Sequence, residues 1–98
     1  MRQFLFLFFL TSSVLFAQEN YTLSGFIRED ISAEELIGAN IVCENLTIGA
    51  TTNAYGFYSI SLPQGIYDIR YSFIGYEDKV IQVTLDKSQR IDVNLSAY

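Results

Sequence analysis

Apolar and polar residues alternate strictly through four separate stretches of this chain, a constraint that favours strands over helices. In residues 67–73, Tyr67, Ile69, Tyr71 and Phe73 share one face, and Asp68, Arg70 and Ser72 share the other. Residues 58–62 set Tyr58, Ile60 and Leu62 against Ser59 and Ser61. Residues 80–85 place Ile81, Val83 and Leu85 inward, with Gln82 and Thr84 outward. Residues 90–95 repeat the pattern with Ile91, Val93 and Leu95 against Arg90, Asp92 and Asn94. Successive side chains of a strand point to opposite faces, so each stretch reads as a half-buried strand.

Two earlier stretches extend the series. Residues 21–28 carry Leu23, Gly25 and Ile27 inward, and residues 39–44 carry Ile41 and Cys43 inward. The segments between them hold turn formers: Asn53-Ala54-Tyr55-Gly56, Pro63-Gln64-Gly65, Gly75 and Asp86-Lys87-Ser88. Residues 31–36 (ISAEEL) are too short for a helix and read as a loop, and no window sustains an amphipathic helix. Short strands at intervals of about 8–12 residues predict an all-β fold, an antiparallel β-sandwich of about seven strands. The inner faces of its two sheets would share the alternating Tyr, Phe, Ile, Val and Leu positions.

The N-terminus reads differently. Arg2 and the free amino group precede the apolar run Phe4-Leu5-Phe6-Leu7-Phe8-Phe9-Leu10, and a second apolar stretch ends at Ala17. Charge, hydrophobe and small residue in that order mark a secretory signal peptide over residues 1–17, cut after Ala17. Polar Gln18-Glu19-Asn20 arrives too early for a membrane span, and no Cys follows the run to carry a lipid. Residues 18–98 then form one small exported domain. Asn20-Tyr21-Thr22 and Asn45-Leu46-Thr47 fit the N-glycosylation pattern, which matters only in a eukaryotic secreted chain.

Composition narrows the chemistry. With 6 Lys+Arg against 11 Asp+Glu, the chain lacks the basic face that nucleic-acid binding needs. It has no His, which removes Ser-His-Asp, Cys-His and HExxH catalysis. Its one Cys forms no internal disulfide, and Cys43 falls on an apolar strand face, a core position without a catalytic partner. Glu34-Glu35 and Glu77-Asp78 are acid pairs of the type that hold cations or move protons, but neighbours on a strand point apart and no DxDxDG loop accompanies them. They read as solvated charge. Lys87-Ser88 reads as a polar turn rather than a Ser-Lys dyad, and Thr52 and Asn53 as turn residues that satisfy backbone groups. No GxGxxG, P-loop or metal-ligand spacing occurs, so neither a cofactor nor a metal is expected. Tyr55, Phe57, Ile66 and Tyr76 lie at turns or opposite the core pattern, which makes them the candidate surface for binding protein or carbohydrate.

Five blocks now stand in order: Leu23-Ser24-Gly25, Leu36-Ile37-Gly38-Ala39-Asn40-Ile41, Thr52-Asn53-Ala54-Tyr55-Gly56-Phe57-Tyr58-Ser59-Ile60, Leu62-Pro63-Gln64-Gly65-Ile66-Tyr67 and Ser72-Phe73-Ile74-Gly75-Tyr76. Together they resemble the carboxypeptidase-D regulatory-like domain, a transthyretin-like β-sandwich. The SFIGY version is similar to the N-terminal extension of SusC-type TonB-dependent outer-membrane receptors of Bacteroidetes. Glu35 departs from the resemblance, standing where that pattern often has Pro.

The resemblance implies a non-catalytic accessory domain at the periplasmic face of the outer membrane, in a receptor for nutrient uptake. Its implied partners are the receptor's own plug or barrel, TonB, or another envelope protein. It would meet the membrane only through a barrel further along a longer polypeptide, of which these residues are the first part. The alternative is a free-standing secreted module that binds protein or carbohydrate. A domain accompanying a metallocarboxypeptidase is a third reading, with any zinc ligands lying elsewhere on the polypeptide.

Overall fold

The computed structural model describes residues 19–98, and the leader expected over residues 1–17 lies outside the described residues. Eight strands follow one another: β1 (Asn20–Glu29), β2 (Asn40–Cys43), β3 (Ile48–Thr51), β4 (Phe57–Pro63), β5 (Gly65–Ser72), β6 (Lys79–Leu85), β7 (Gln89–Arg90) and β8 (Val93–Leu95). They form two sheets. One has the order β4-β1-β7, with β8 also on β1; the other runs β3-β2-β5-β6.

Alternation places the core where the sequence reading put it. Leu23, Ile27, Ile41, Cys43, Tyr58, Leu62, Ile69, Tyr71, Val83, Leu85, Val93 and Leu95 are all buried between the sheets. Each aliphatic residue fully withdrawn from water contributes about 1.5–3 kcal/mol. Ile81, Ile91 and Phe73 are half-buried at the margins of that core. The segment over residues 31–36 is a loop, as its length implied. β3 is the one strand absent from the sequence reading. Its residues Ile48-Gly49-Ala50-Thr51 carry no clean alternation, because β3 is an edge strand that buries little.

A second departure lies in strand direction. The hairpin and meander pairings are antiparallel, but β7 and β8 run parallel to β1. The turn after β6 carries the chain from one sheet to the other, where it lies along the second edge of β1. Alternation records which face a residue takes and is silent about the direction of the neighbouring strand.

The stretch expected as a single strand over residues 90–95 is interrupted at Ile91 and Asp92. The register does not shift across the gap: Ser24 pairs with Arg90 before it and Ile27 with Val93 after it. The Ile91 N–H still donates to Ser24 O (2.8 Å), while its carbonyl turns inward and accepts the Tyr58 hydroxyl (2.8 Å). Asp92 then substitutes for the ladder, its Oδ1 accepting the Phe26 N–H at 2.9 Å. Ser88 Oγ does the same for the Thr22 N–H at 3.0 Å.

Gly25 makes this possible. A Cβ at that position would collide with the carbonyl carbon and oxygen of Ile91, which are backbone and have nowhere to go. Replacement of Gly25 by Ala is therefore expected to destabilise the domain by about 3 kcal/mol, the upper end for overpacking against fixed backbone. Urea unfolding of the variant measures this. Ser59→Ala, on the outer face of β4, serves as the control and should change stability by less than about 0.5 kcal/mol.

Candidate interaction surface

Strand register gathers the three longest loops at one end of the sandwich. Asn40 pairs with both Thr51 and Ser72, Tyr71 with Lys79, Phe26 with Phe57, and Glu29 with Leu95. Consequently the connections over residues 30–39, 52–56 and 73–78 meet there, together with residues 96–98.

Side chains lock these loops from within. Thr52 is buried; its hydroxyl accepts the Ala39 N–H (2.8 Å) and donates to Leu36 O (2.5 Å). Asn53 Oδ1 accepts the N–H groups of Tyr55 (2.9 Å) and Phe57 (3.1 Å), shaping the turn that carries Tyr55. Gly56 closes that turn in the left-handed region, with a φ of 76°. In the first loop, the Ser32 hydroxyl and the N–H groups of Ser32 and Ile31 hold the Glu29 carboxyl far below the usual carboxylate range, at about 2. Both residues singled out as backbone-satisfying turn formers, Thr52 and Asn53, do that work.

The four candidate surface residues fall in three places. Tyr55 is 69% exposed at the loop end, and Phe57 follows it on the outer face of the first sheet. Tyr76 is half-buried and packs at a tilt against Phe73, ring centroids 5.6 Å apart, where Gly75 (φ 86°) reverses the chain. Ile66 lies opposite Thr84 on the outer face of the second sheet, near the start of β5 and so remote from Tyr76. Tyr55 and Phe57 are thus neighbours, while Ile66 and Tyr76 belong to separate surfaces.

Tyr76 borders an open cleft of about 380 Å³ whose wall includes Asn40, Ser72, Ile74, Asp78 and Tyr98. The Tyr98 N–H donates to Gly75 O (3.1 Å), drawing the end of the chain across this loop. Asp78 is engaged by Arg70, which also holds Glu44 at 2.8 Å. Glu34, Glu35 and Glu77 face solvent. Among the described residues no group of three or more His, Cys, Asp or Glu side chains is placed to hold a metal ion.

Phe57 also has a partner that the sequence reading did not single out. Phe26 meets it edge-on across the β1–β4 pair, with centroids 5.1 Å apart. The guanidinium groups of Arg28 and Arg90 lie 4.6 and 5.0 Å from the Phe26 ring centre. Arg90 also pairs with Asp92 at 3.2 Å. The Phe26 N–H is the main influence holding the Asp92 carboxyl below its usual range, with Arg90 adding to it. Phe26 and Arg28 were legible as outward residues, two apart on β1. The approach of Arg90 depends on the parallel seam and was not.

The fold and this surface define a β-sandwich module whose loops are fixed at one end by internal hydrogen bonds. Residues 23–98 match the CarboxypepD_reg-like domain, and the chain belongs to that family. It is 38% identical over 68 residues to the TonB-dependent receptor SusC of Bacteroides thetaiotaomicron, a match covering 69% of this chain. The same match spans only 6% of the receptor's length. Two solved structures share the fold. A DUF3823 family protein from Bacteroides ovatus superposes with a TM-score of 0.60 at 19% identity, covering 82% of this chain and 46% of that one. The Bacillus anthracis TIE protein superposes with a TM-score of 0.57 at 22% identity, covering 80% of this chain and 16% of its own.

The buried Thr52 hydroxyl gives the loop end a direct test. Thr52→Val keeps the shape but leaves Ala39 N–H and Leu36 O without partners, which should lower stability by about 2 kcal/mol. Thr52→Ser restores the hydroxyl and is expected to recover most of the loss in the same chemical-denaturation measurement.

Proposed function

We propose that this chain is a non-catalytic accessory domain on the periplasmic side of a TonB-dependent outer-membrane receptor for nutrient uptake. The observation that carries this reading is the 38% identity to SusC over 68 residues. That stretch covers most of a family domain rather than one short motif. In this reading residues 1–17 direct export and are removed after Ala17, and residues 18–98 act in the periplasm.

The domain works by contact rather than chemistry. Its buried polar side chains are spent on structure: Thr52 ties two loops, and Tyr58 and Tyr71 bridge the sheets. Its exposed large apolar side chains include Tyr55, Ile66 and Ile74, of the type that docks the receptor's own plug, TonB or another envelope protein. Tyr55 and Phe57 form one part of that contact surface, with Ile66 and Tyr76 on others.

In-frame deletion of residues 19–98 from the gene that encodes the receptor tests the reading. Growth on the nutrient it imports, or receptor abundance in the outer membrane, should fall. Unchanged uptake together with unchanged abundance would overturn it.

A further inference from the structure

Large apolar side chains left in water add little to folding, and several gathered in one place mark a surface that another molecule covers. The three loops that meet at one end of the sandwich each carry such a side chain directly before a left-handed glycine. The pairs are Ile37-Gly38, Tyr55-Gly56 and Ile74-Gly75, with glycine φ values of 82°, 76° and 86°. At Gly38 and Gly75 a Cβ would meet no other group within 4 Å, so conformation and not crowding calls for glycine. Reversal of the chain directly after the apolar residue leaves that residue on the outside of its turn. The four most exposed large apolar side chains among the described residues, Ile74, Ile31, Tyr98 and Tyr55, all lie at this end, the first at 91%.

Charge at this end selects what covers it. The three loops and residues 96–98 hold five acids, Asp30, Glu34, Glu35, Glu77 and Asp78, and no Lys or Arg. The cations at the adjoining strand ends are already engaged. Arg28 lies against the Phe26 ring, Arg70 bridges Glu44 and Asp78, and the Lys79 ammonium donates to Asn94 O at 3.0 Å. With Glu29 included, six acids stand against those three bases, so the end is negative even when every neighbouring cation is counted. Glu34, Glu35 and Glu77 are exposed and form no ion pair among the described residues. A second copy docked end to end would set this excess against itself, and an anionic lipid surface would repel it.

We infer that the loop end is a docking surface for a partner protein that presents an apolar patch flanked by Lys or Arg. Ile37, Tyr55 and Ile74 enter the patch, and Glu34, Glu35 and Glu77 meet the cations around it. The hydrogen bonds of Thr52 and Asn53 hold two of these loops in shape before contact, so little order is lost on docking. This deepens the docking role proposed above and rests on it, adding which surface makes the contact and the chemistry of the surface it meets.

The test is an amide NMR titration of this chain with a synthetic amphipathic helical peptide that has Leu along one face and Lys on its flanks. Two comparison peptides replace Lys by Glu, or Leu by Ser. The expected result is saturable shifts centred on the three loops with the Leu–Lys peptide, and binding about tenfold weaker with either comparison. Ile74→Ser and Tyr55→Ser should each weaken the Leu–Lys peptide about tenfold while leaving the urea midpoint unchanged. Glu34→Gln combined with Glu77→Gln should weaken it and reduce its salt dependence. Leu46→Ser, which removes an exposed apolar residue from the turn at the opposite end, should leave binding unchanged. No response, equal binding of the Lys–Ser peptide, or equal shifts at the opposite end would overturn the inference. So would binding of phosphatidylcholine–phosphatidylglycerol vesicles, or concentration-dependent self-association, through these loops in place of the peptide. Because the titration uses this chain alone, its failure beside a deletion phenotype in the receptor would reject this surface and not the accessory role.

Discussion

A single backbone carbonyl, that of Ile91, points into the core instead of across a strand pair, and the two sheets are organised around it. It lies against Gly25, where any side chain would strike it, and it accepts the hydroxyl of Tyr58. With the Tyr58 proton committed to Ile91 O, the Tyr71 hydroxyl donates to Tyr58 across the core at 2.9 Å. The rings meet edge-on at 5.5 Å, joining β4 of one sheet to β5 of the other. Burial pushes both phenols above their usual range, Tyr58 the further. The unfolded chain would therefore lose these protons first on raising the pH, so stability declines from about pH 10 upward. Because Ile91 leaves the ladder, Asp92 must satisfy Phe26, which fixes Arg90 and Arg28 over the Phe26 ring.

Much of this is written in the alternation of residue types, and the exceptions have physical causes. Leu23, Gly25 and Ile27 were legible as the inner face of β1, and Cys43 as a core position, because burial on one face is what a period of two encodes. The roles of Thr52 and Asn53 followed from their chemistry as short side chains in a turn. β3 escaped because Ile48-Gly49-Ala50-Thr51 packs along an open edge and buries too little to leave a pattern. The parallel seam escaped because nothing in Arg90-Ile91-Asp92-Val93 names β1 as its neighbour or sets its direction. Gly25 reads in sequence as a weak strand residue; only the approach of Ile91 explains why it is there. For the surface, exposure of Tyr55 and Ile66 could be read directly, but their separation, one in the loop before β4 and the other on the outer face of β5, required the topology.

The structure thus divides its residues between two tasks. Polar groups inside the sandwich, Thr52, Tyr58 and Tyr71, are committed to one another or to backbone, so the scaffold is rigid where the loops meet. Groups outside it, the Phe26–Phe57 pair with its arginines and the cleft beside Tyr76, are available for contact. The matched stretch spans 6% of the length of the receptor to which it is similar.

Whether it acts as part of such a receptor can be read from the native product. An antibody raised against residues 19–98, applied to outer-membrane and soluble fractions of the cells that make the protein, reports its size and place together. The account predicts an outer-membrane band on the order of 100 kDa, as a large transmembrane barrel requires. A soluble band of about 9 kDa, the size of one small domain, would contradict it.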